Sequence, residues 1–469
     1  MSNTTVKTTF AEKLGYGSAS LGDAVAYAFI NTFLMFFLTT IAEIPPAIAG
    51  TITAVGAIWN AFFNPLMGYF SDKVRTRWGR RRPVIFAFSI PLGISLFLLF
   101  TSVDLPIGVK PFYYGFMLML FWSSYTGFFV PYLALGTVYT SDYDDRTILR
   151  LFASFFNMIG TMLSMVMPSA LVDWLQNNGF TAEGAWSFTG GFLGLATMLS
   201  IMFTVLVSKN KDLPCELVKE ESLGLEMQKD HKSILETIKD IFKEYLDLFH
   251  MKPLKYLVFA SLFSLLAYAM LMSCMMYYLT YNKGLSSYAI SGCMLMRTLL
   301  SIVFIPIVGK LILKFDKRET LIGFYSIGFL GMCLIRFIDI PGLAGLILYM
   351  IFITICTVIY WQIMPSVFYD VCEYDRIVNG KEREGTILSF QGLVEALASG
   401  IGVQLLGIIL QTAGFVGDVA VQSEKAMTWI YNSTTVIPVL LLACAAVALY
   451  KYPINKRVYE ELLEQKNNN

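Results

Sequence analysis

The chain has 469 residues, of which 56% are hydrophobic and only 15% charged, with a mean hydropathy of +0.61 and a net charge of +1. A soluble protein carries roughly 25% charged residues, so this composition excludes an ordinary water-soluble fold, and so neutral a balance excludes a nucleic-acid partner. The 7 cysteines show no metal or redox spacing and the 2 histidines, His231 and His250, lie in the central loop; a disulfide framework, a metal centre and an intramembrane histidine relay are excluded with them.

In chain order, the N-terminal MSNTTVKTTFAEKLGYG is polar and lacks the order of a cleavable signal, so the first span is expected to stay in the mature protein. Apolar runs of about 20 residues, enough to cross a bilayer, then follow at 14–40, 46–70, 84–102, 110–138, 149–173, 185–208, 254–281, 286–312, 319–337, 342–369, 384–412 and 427–450. The expected fold class is an all-α membrane protein of twelve transmembrane helices in two six-helix bundles. Its domains are expected at 1–208, 254–451 and, between them, a charged cytosolic linker at 209–253, with a cytosolic tail at 452–469. Within the linker Ile234, Leu235, Ile238, Ile241, Phe242 and Phe249 recur at helical spacing, which predicts an amphipathic helix on the inner membrane face or a simple tether. Lys73, Arg75, Arg77, Arg80, Arg81 and Arg82 after span 2, Lys314, Lys317 and Arg318 after span 8, and Arg376, Lys381 and Arg383 after span 10 place those loops, and both termini, in the cytosol.

Charges at membrane depth cost about 2.5 to 3.5 kcal/mol each on insertion scales and need a reason. The candidates are Asp23 in span 1, Arg150 opening span 5, Arg297 in span 8 and Glu395 in span 11, which could neutralise one another around a central polar site or serve only as structural ion pairs. Asn60 and Asn64 lie one turn apart on one face of span 2, beside Trp59, and Tyr360, Trp361 and Gln362 cluster in span 10. Aromatic rings with amides and carboxylates suit sugar or amphipathic ligands, although most membrane aromatics are packing or belt residues. Two six-span halves are the mark of a transporter built from repeats. No G-x-x-x-x-G-K motif and no nucleophile with a base occurs in the spans, so neither an ATP-driven pump nor an intramembrane enzyme is expected, and no cofactor.

The stretches LGYGSASLGD, IWNAFFNPLMGYFSDKVRTRWGRRRP, LRLFASFF, IYWQIMPSVFYDVCEYD and GKEREGTILSFQG together resemble the major facilitator superfamily, and within it the melibiose permease-like glycoside-pentoside-hexuronide:cation symporters. The resemblance spans essentially the full chain. It implies substrate contacts at Asp23, Arg150 and Trp361; Tyr360 stands behind these as a candidate, and Arg150 and Arg297 are the counter-charges should the solute be anionic. It also implies a cation-coupling site, and there this chain departs from the pattern. The span 2 aspartates of the family are Asn60 and Asn64 here, the span 4 carboxylate is Phe129, its nearby tryptophan is Leu133, and the span 11 lysine is Ala396 with Glu395 beside it; Thr126 is kept. Sodium requires several hard oxygens and an anion, so Asn60, Asn64 and Thr126 make a poor sodium site, and proton coupling through Asp23 or Glu395, or none, is expected. The arginine loop is implied to form a cytosolic gate from Gly68, Asp72, Arg75, Gly79 and Arg80; its plain alternative is orientation alone. The expectation is a monomeric secondary transporter of the cytoplasmic membrane, moving a sugar, glycoside or hexuronide-like solute with H+ or Na+. The rival readings are an exporter or flippase of amphipathic compounds and a transport-dead sensor.

Overall fold

The computed structural model describes residues 8–74, 76–106, 108–139, 143–210, 247–338, 342–380, 383–417, 419, 421–455 and 457–458. The first half folds as α1 (Phe10–Thr40), α2 (Pro46–Lys73), α3 (Arg82–Leu99), α4 (Lys110–Tyr139), α5 (Tyr143–Asn177) and α6 (Ala182–Val207). The second half folds as α7 (Lys252–Tyr277), α8 (Ser287–Phe315), α9 (Lys317–Phe337), α10 (Gly342–Asn379), α11 (Glu384–Thr412), α12 (Glu424–Thr434) and α13 (Val436–Tyr450), the last two making one interrupted span. Among the described residues 12 helices are long and apolar enough to cross a membrane, and no strand element occurs. The part of the expected amphipathic helix from Ile234 to residue 246 lies outside the described residues, which resume before Phe249, and so does the chain beyond residue 458.

Local chemistry sets the helix boundaries. Thr9 caps α1 with a capping box, its hydroxyl accepting from the Glu12 amide while the Glu12 carboxylate accepts from the Thr9 amide at 2.8 Å. Prolines at the first positions of α2, α3 and α7 cost no helical hydrogen bond there. Helix α10 runs ten residues past the apolar stretch read from sequence, because its extension carries Asp370 and Asp375, each with a cationic partner. Lys317, opening α9, donates to both Asp370 oxygens at 2.7 Å. Arg383, at the start of α11, grips the fully buried Asp375 with two donors at 3.0 and 2.7 Å, and Asn379 adds a third at 2.7 Å.

The molecule divides into two compact units, one of Met1–Gln228 with Lys283–Leu295 and Val416–Val421, the other of Lys229–Asn282, Met296–Phe415 and Gln422–Asn469. In the first unit α1 is the central helix, packed on α5 and α6, while α3 packs on α4 and α6. In the second unit α7 packs in the same way on α11 and α13, and α9 on α10 and α13, so the packing scheme is repeated. Small residues let the backbones approach: a Cβ on Gly194 of α6 would stand 2.3 Å from the Gly93 carbonyl oxygen of α3. Accordingly α1 and α7 are the most buried spans, whereas α8 is the least buried.

Candidate functional site

In the first unit the polar site is built around Asp23, midway along α1 and buried. Its carboxylate accepts from the Tyr125 hydroxyl of α4 at 2.6 Å and from the Asn157 amide of α5 at 3.3 Å. A carboxylate has about four acceptor positions, so these two neutral donors hold the side chain and leave capacity for a ligand hydroxyl. The four charges Asp23, Arg150, Arg297 and Glu395 are expected to be able to neutralise one another; among the described residues no ion pair joins Asp23 to Arg150. Arg150 is exposed, two helical turns or about 10 Å before Asn157 on the same helix. Sequence reasoning missed Tyr125 and Asn157. The available signal for Asn157 was its place on the Arg150 face of α5, seven positions on; Tyr125 read only as one more membrane aromatic.

An aromatic wall continues from this carboxylate along α4. Phe121, Tyr125 and Phe129 stack at successive turns, with ring centroids 6.0 and 5.5 Å apart, and Tyr27 of α1 flanks Tyr125 at 6.0 Å and Trp122 at 6.1 Å. Phe129 therefore extends a ring ladder at the position where the resembled family carries a carboxylate.

On the α2 side, Asn60 and Asn64 share a face as their one-turn spacing implies, and Thr126 of α4 meets them as the resemblance implies. The Asn60 side-chain oxygen accepts from the Thr126 hydroxyl at 2.7 Å and from the Asn64 amide at 3.2 Å, and Asn64 also donates to the Asn60 carbonyl at 2.9 Å. Trp59, one position away, donates to Ser123 at 2.8 Å and stacks on Phe63. The triad is electrically neutral, and its central oxygen already accepts two donors. An oxygen committed in this way is a weak ligand for a cation that must shed water.

In the second unit Tyr360 and Trp361 part company. Tyr360 is 2% exposed and packs inside the unit, whereas Trp361 is 38% exposed, with its ring edge-on to Tyr268 at 5.9 Å. Of the pair, only Trp361 presents a ring to the surface of its unit. Arg297 is buried on α8 and donates to the Thr357 hydroxyl of α10 at 3.3 Å. Glu395 on α11 is partly buried.

The arginine loop is a tight turn. The Thr76 and Gly79 backbones exchange hydrogen bonds at 3.2 and 3.1 Å, the Thr76 hydroxyl binds the Gly79 carbonyl at 2.9 Å, and Gly79 takes φ 104°, which favours glycine. Arg81 donates to the Ala134 carbonyl of α4, and Arg82, buried, donates to the Val205 carbonyl at 2.9 Å, in the last turn of α6. Cations there satisfy orphan carbonyls and complement the helix dipole. Of the expected gate residues, Arg75 lies outside the described residues, Gly68 and Asp72 are described in backbone only, within α2, and Arg80 is partly buried beside the turn.

A family model described as "MFS/sugar transport protein" matches residues 15–456. The chain is 23% identical over 473 residues to an isoprimeverose transporter of Lactiplantibacillus pentosus, covering 98% of this chain and 92% of that protein. It is 26% identical over 457 residues to sodium-dependent lysophosphatidylcholine symporter 1 of Xenopus tropicalis, covering 91% and 84%. Among solved structures, a D-xylose-proton symporter superposes with a TM-score of 0.66 at 14% identity, over 95% of this chain and 98% of that one, a likeness of fold.

Proposed function

This chain belongs to the MFS/sugar transport protein family, and from that premise we propose that it moves a sugar, glycoside or hexuronide-like solute across the cytoplasmic membrane by alternating access, with a proton as the coupling ion. That it is a multi-pass membrane transporter follows from the family and its 12 apolar helices. Proton coupling is supported chiefly by the contrast between two polar groups of the first unit. Asp23 is a buried carboxylate held by neutral donors and able to exist with or without a proton, whereas Asn60, Asn64 and Thr126 bind one another and carry no charge. In the proposed roles Asp23 holds solute hydroxyls and the proton, Arg150 and Trp361 contact the solute, and Arg297 balances an anionic solute. Both termini lie in the cytosol on this reading, as the loop cations favour.

The experiment is uptake of candidate glycosides by cells or proteoliposomes in which external sodium is replaced by choline at fixed pH. Uptake is expected to be unchanged, and strict sodium dependence would overturn the proton reading. Asp23→Asn and Arg150→Ala are expected to abolish uptake with normal membrane insertion. A second reading, an amphipathic lipid-like solute, is favoured by the ring ladder through Phe129 and by the lysophosphatidylcholine symporter among the relatives. It predicts competition by lysolipids and none by sugars in the same assay.

A further inference from the structure

We propose that a row of buried hydroxyls inside the first unit conducts protons between Asp23 and the end of α6, the cytosolic end in the orientation proposed above. The row rests on the proton-coupling reading and adds a path to it.

The residues lie on facing stripes of two helices. On α1 they are Asp23, Ser20 and Tyr16, spaced one helical turn apart; on α4 they are Tyr132 and Tyr139, spaced two turns apart. The Ser20 and Tyr132 hydroxyls are 2.6 Å apart, and Tyr132 can donate onward to the Tyr16 carbonyl at 3.1 Å. The Tyr16 ring stacks on Tyr132 with centroids 4.7 Å apart and lies 5.2 Å from Tyr139. The Tyr139 hydroxyl is 2.5 Å from that of Ser208, which follows α6 and closes the row by donating to the Thr204 carbonyl. Tyr16, Ser20, Tyr132, Tyr139 and Ser208 are all buried. The ionisable groups around the row are Tyr125 beside Asp23, and Glu12 and Arg82 near Tyr139.

The Tyr16 side chain is completely buried, and its hydroxyl makes no hydrogen bond of normal geometry, with the Tyr132 phenol close beside it. It rests over Gly136 of α4, where a Cβ would stand 2.4 Å from the phenol oxygen, so the hydroxyl takes the space that a side chain at position 136 would fill. An orphaned buried polar atom in a native protein calls for an explanation, and the common one is an ordered water. A water bound to the Tyr16 hydroxyl would sit between the Tyr132 and Tyr139 ends of the row, where the direct hydroxyl contacts stop. Ser20 lies one turn from Asp23 with no hydrogen bond between them, so a second water carries the proton from the Asp23 carboxyl to Ser20, and each hydroxyl or water then passes on its own proton as it receives the next. Asp23 is left as carboxylate, and a hydronium emerges beside Ser208.

Tyr16→Phe and Ser20→Ala, purified and reconstituted in liposomes, test this against wild type in two assays, solute counterflow without a gradient and accumulation driven by an imposed pH gradient. Tyr16→Phe removes an unpaired hydroxyl, so a structural role predicts equal or higher thermal stability and no change in either assay. The path predicts unchanged stability and counterflow with gradient-driven accumulation slowed about tenfold or more, the scale on which a positioned proton relay acts. Gradient-driven accumulation retained in both variants would overturn the path while leaving proton coupling intact. If wild type fails to respond to the pH gradient, proton coupling and the path fall together.

Discussion

Asp145 shows what a single side chain outside the apolar runs can do. It opens α5, is 3% exposed, and gathers the Thr8 amide at 2.8 Å, the Thr8 hydroxyl at 2.7 Å and the Lys13 ammonium at 2.9 Å, so the chain entering α1 is tied to α5. Burial pushes its carboxyl upward, but the Thr8 and Lys13 contacts outweigh that and hold it at about 2. A carboxyl lowered in the folded state stabilises the fold above its ordinary value near 3.8 and loses that contribution as pH falls toward 2. Thermal unfolding in detergent should therefore show a drop in stability between about pH 4 and pH 2. Asp145→Asn should remove most of that drop and lower stability at neutral pH by about 2 kcal/mol, the size of a lost charged hydrogen-bond partner. An unaltered acid profile in the variant would show that other carboxylates govern it.

At the scale of elements, close helix contacts carry the fold, and the α3–α6 crossing, where two glycine backbones meet, is a direct place to test this. Gly194→Val would drive a branched side chain into the Gly93 carbonyl, with Met198 and Leu96 already near the two glycines. The expected cost is about 3 kcal/mol or more, seen as lost thermal stability and poor recovery from detergent, while Gly108→Ala, with open space around it, should be silent. The helices themselves were legible in the sequence, because bilayer thickness fixes the length of an apolar run, and the pairing of Asn60 with Asn64 was legible from one-turn spacing. What was hidden had partners that no pattern announces. Arg81 and Arg82 looked like topological charges, yet their targets are the backbone carbonyls of Ala134 and Val205, which any sequence would supply. Tyr125 and Asn157 converge on Asp23 only through the packing of α1 with α4 and α5. Span lengths failed where charge took over, as in the extension of α10, where Asp370 and Asp375 compensate for the end of the apolar run by binding Lys317 and Arg383.

For the whole molecule, the recurring packing of α1 with α5 and α6 and of α7 with α11 and α13 is the architecture expected of a chain built from two copies of one helical plan. The buried charges differ between the copies: the mid-helix carboxylate Asp23 is on the central helix of the first, and the cation Arg297 is on α8 in the second. Uptake of an uncharged solute with one proton moves one positive charge per cycle, so an inside-negative potassium diffusion potential in proteoliposomes should accelerate it even without a pH gradient; indifference to that potential would rule out such coupling. On the proposed coupling to one proton, the neutral triad of Asn60, Asn64 and Thr126 sets a thermodynamic ceiling. With no second ion bound there, the membrane potential acts on a single charge, about 2.3 kcal/mol per 100 mV. Voltage alone could concentrate the solute about 50-fold at that potential, where a carrier binding a further cation at the same place could square the ratio. On that reading, asparagines in place of two aspartates hold accumulation to the single-charge limit.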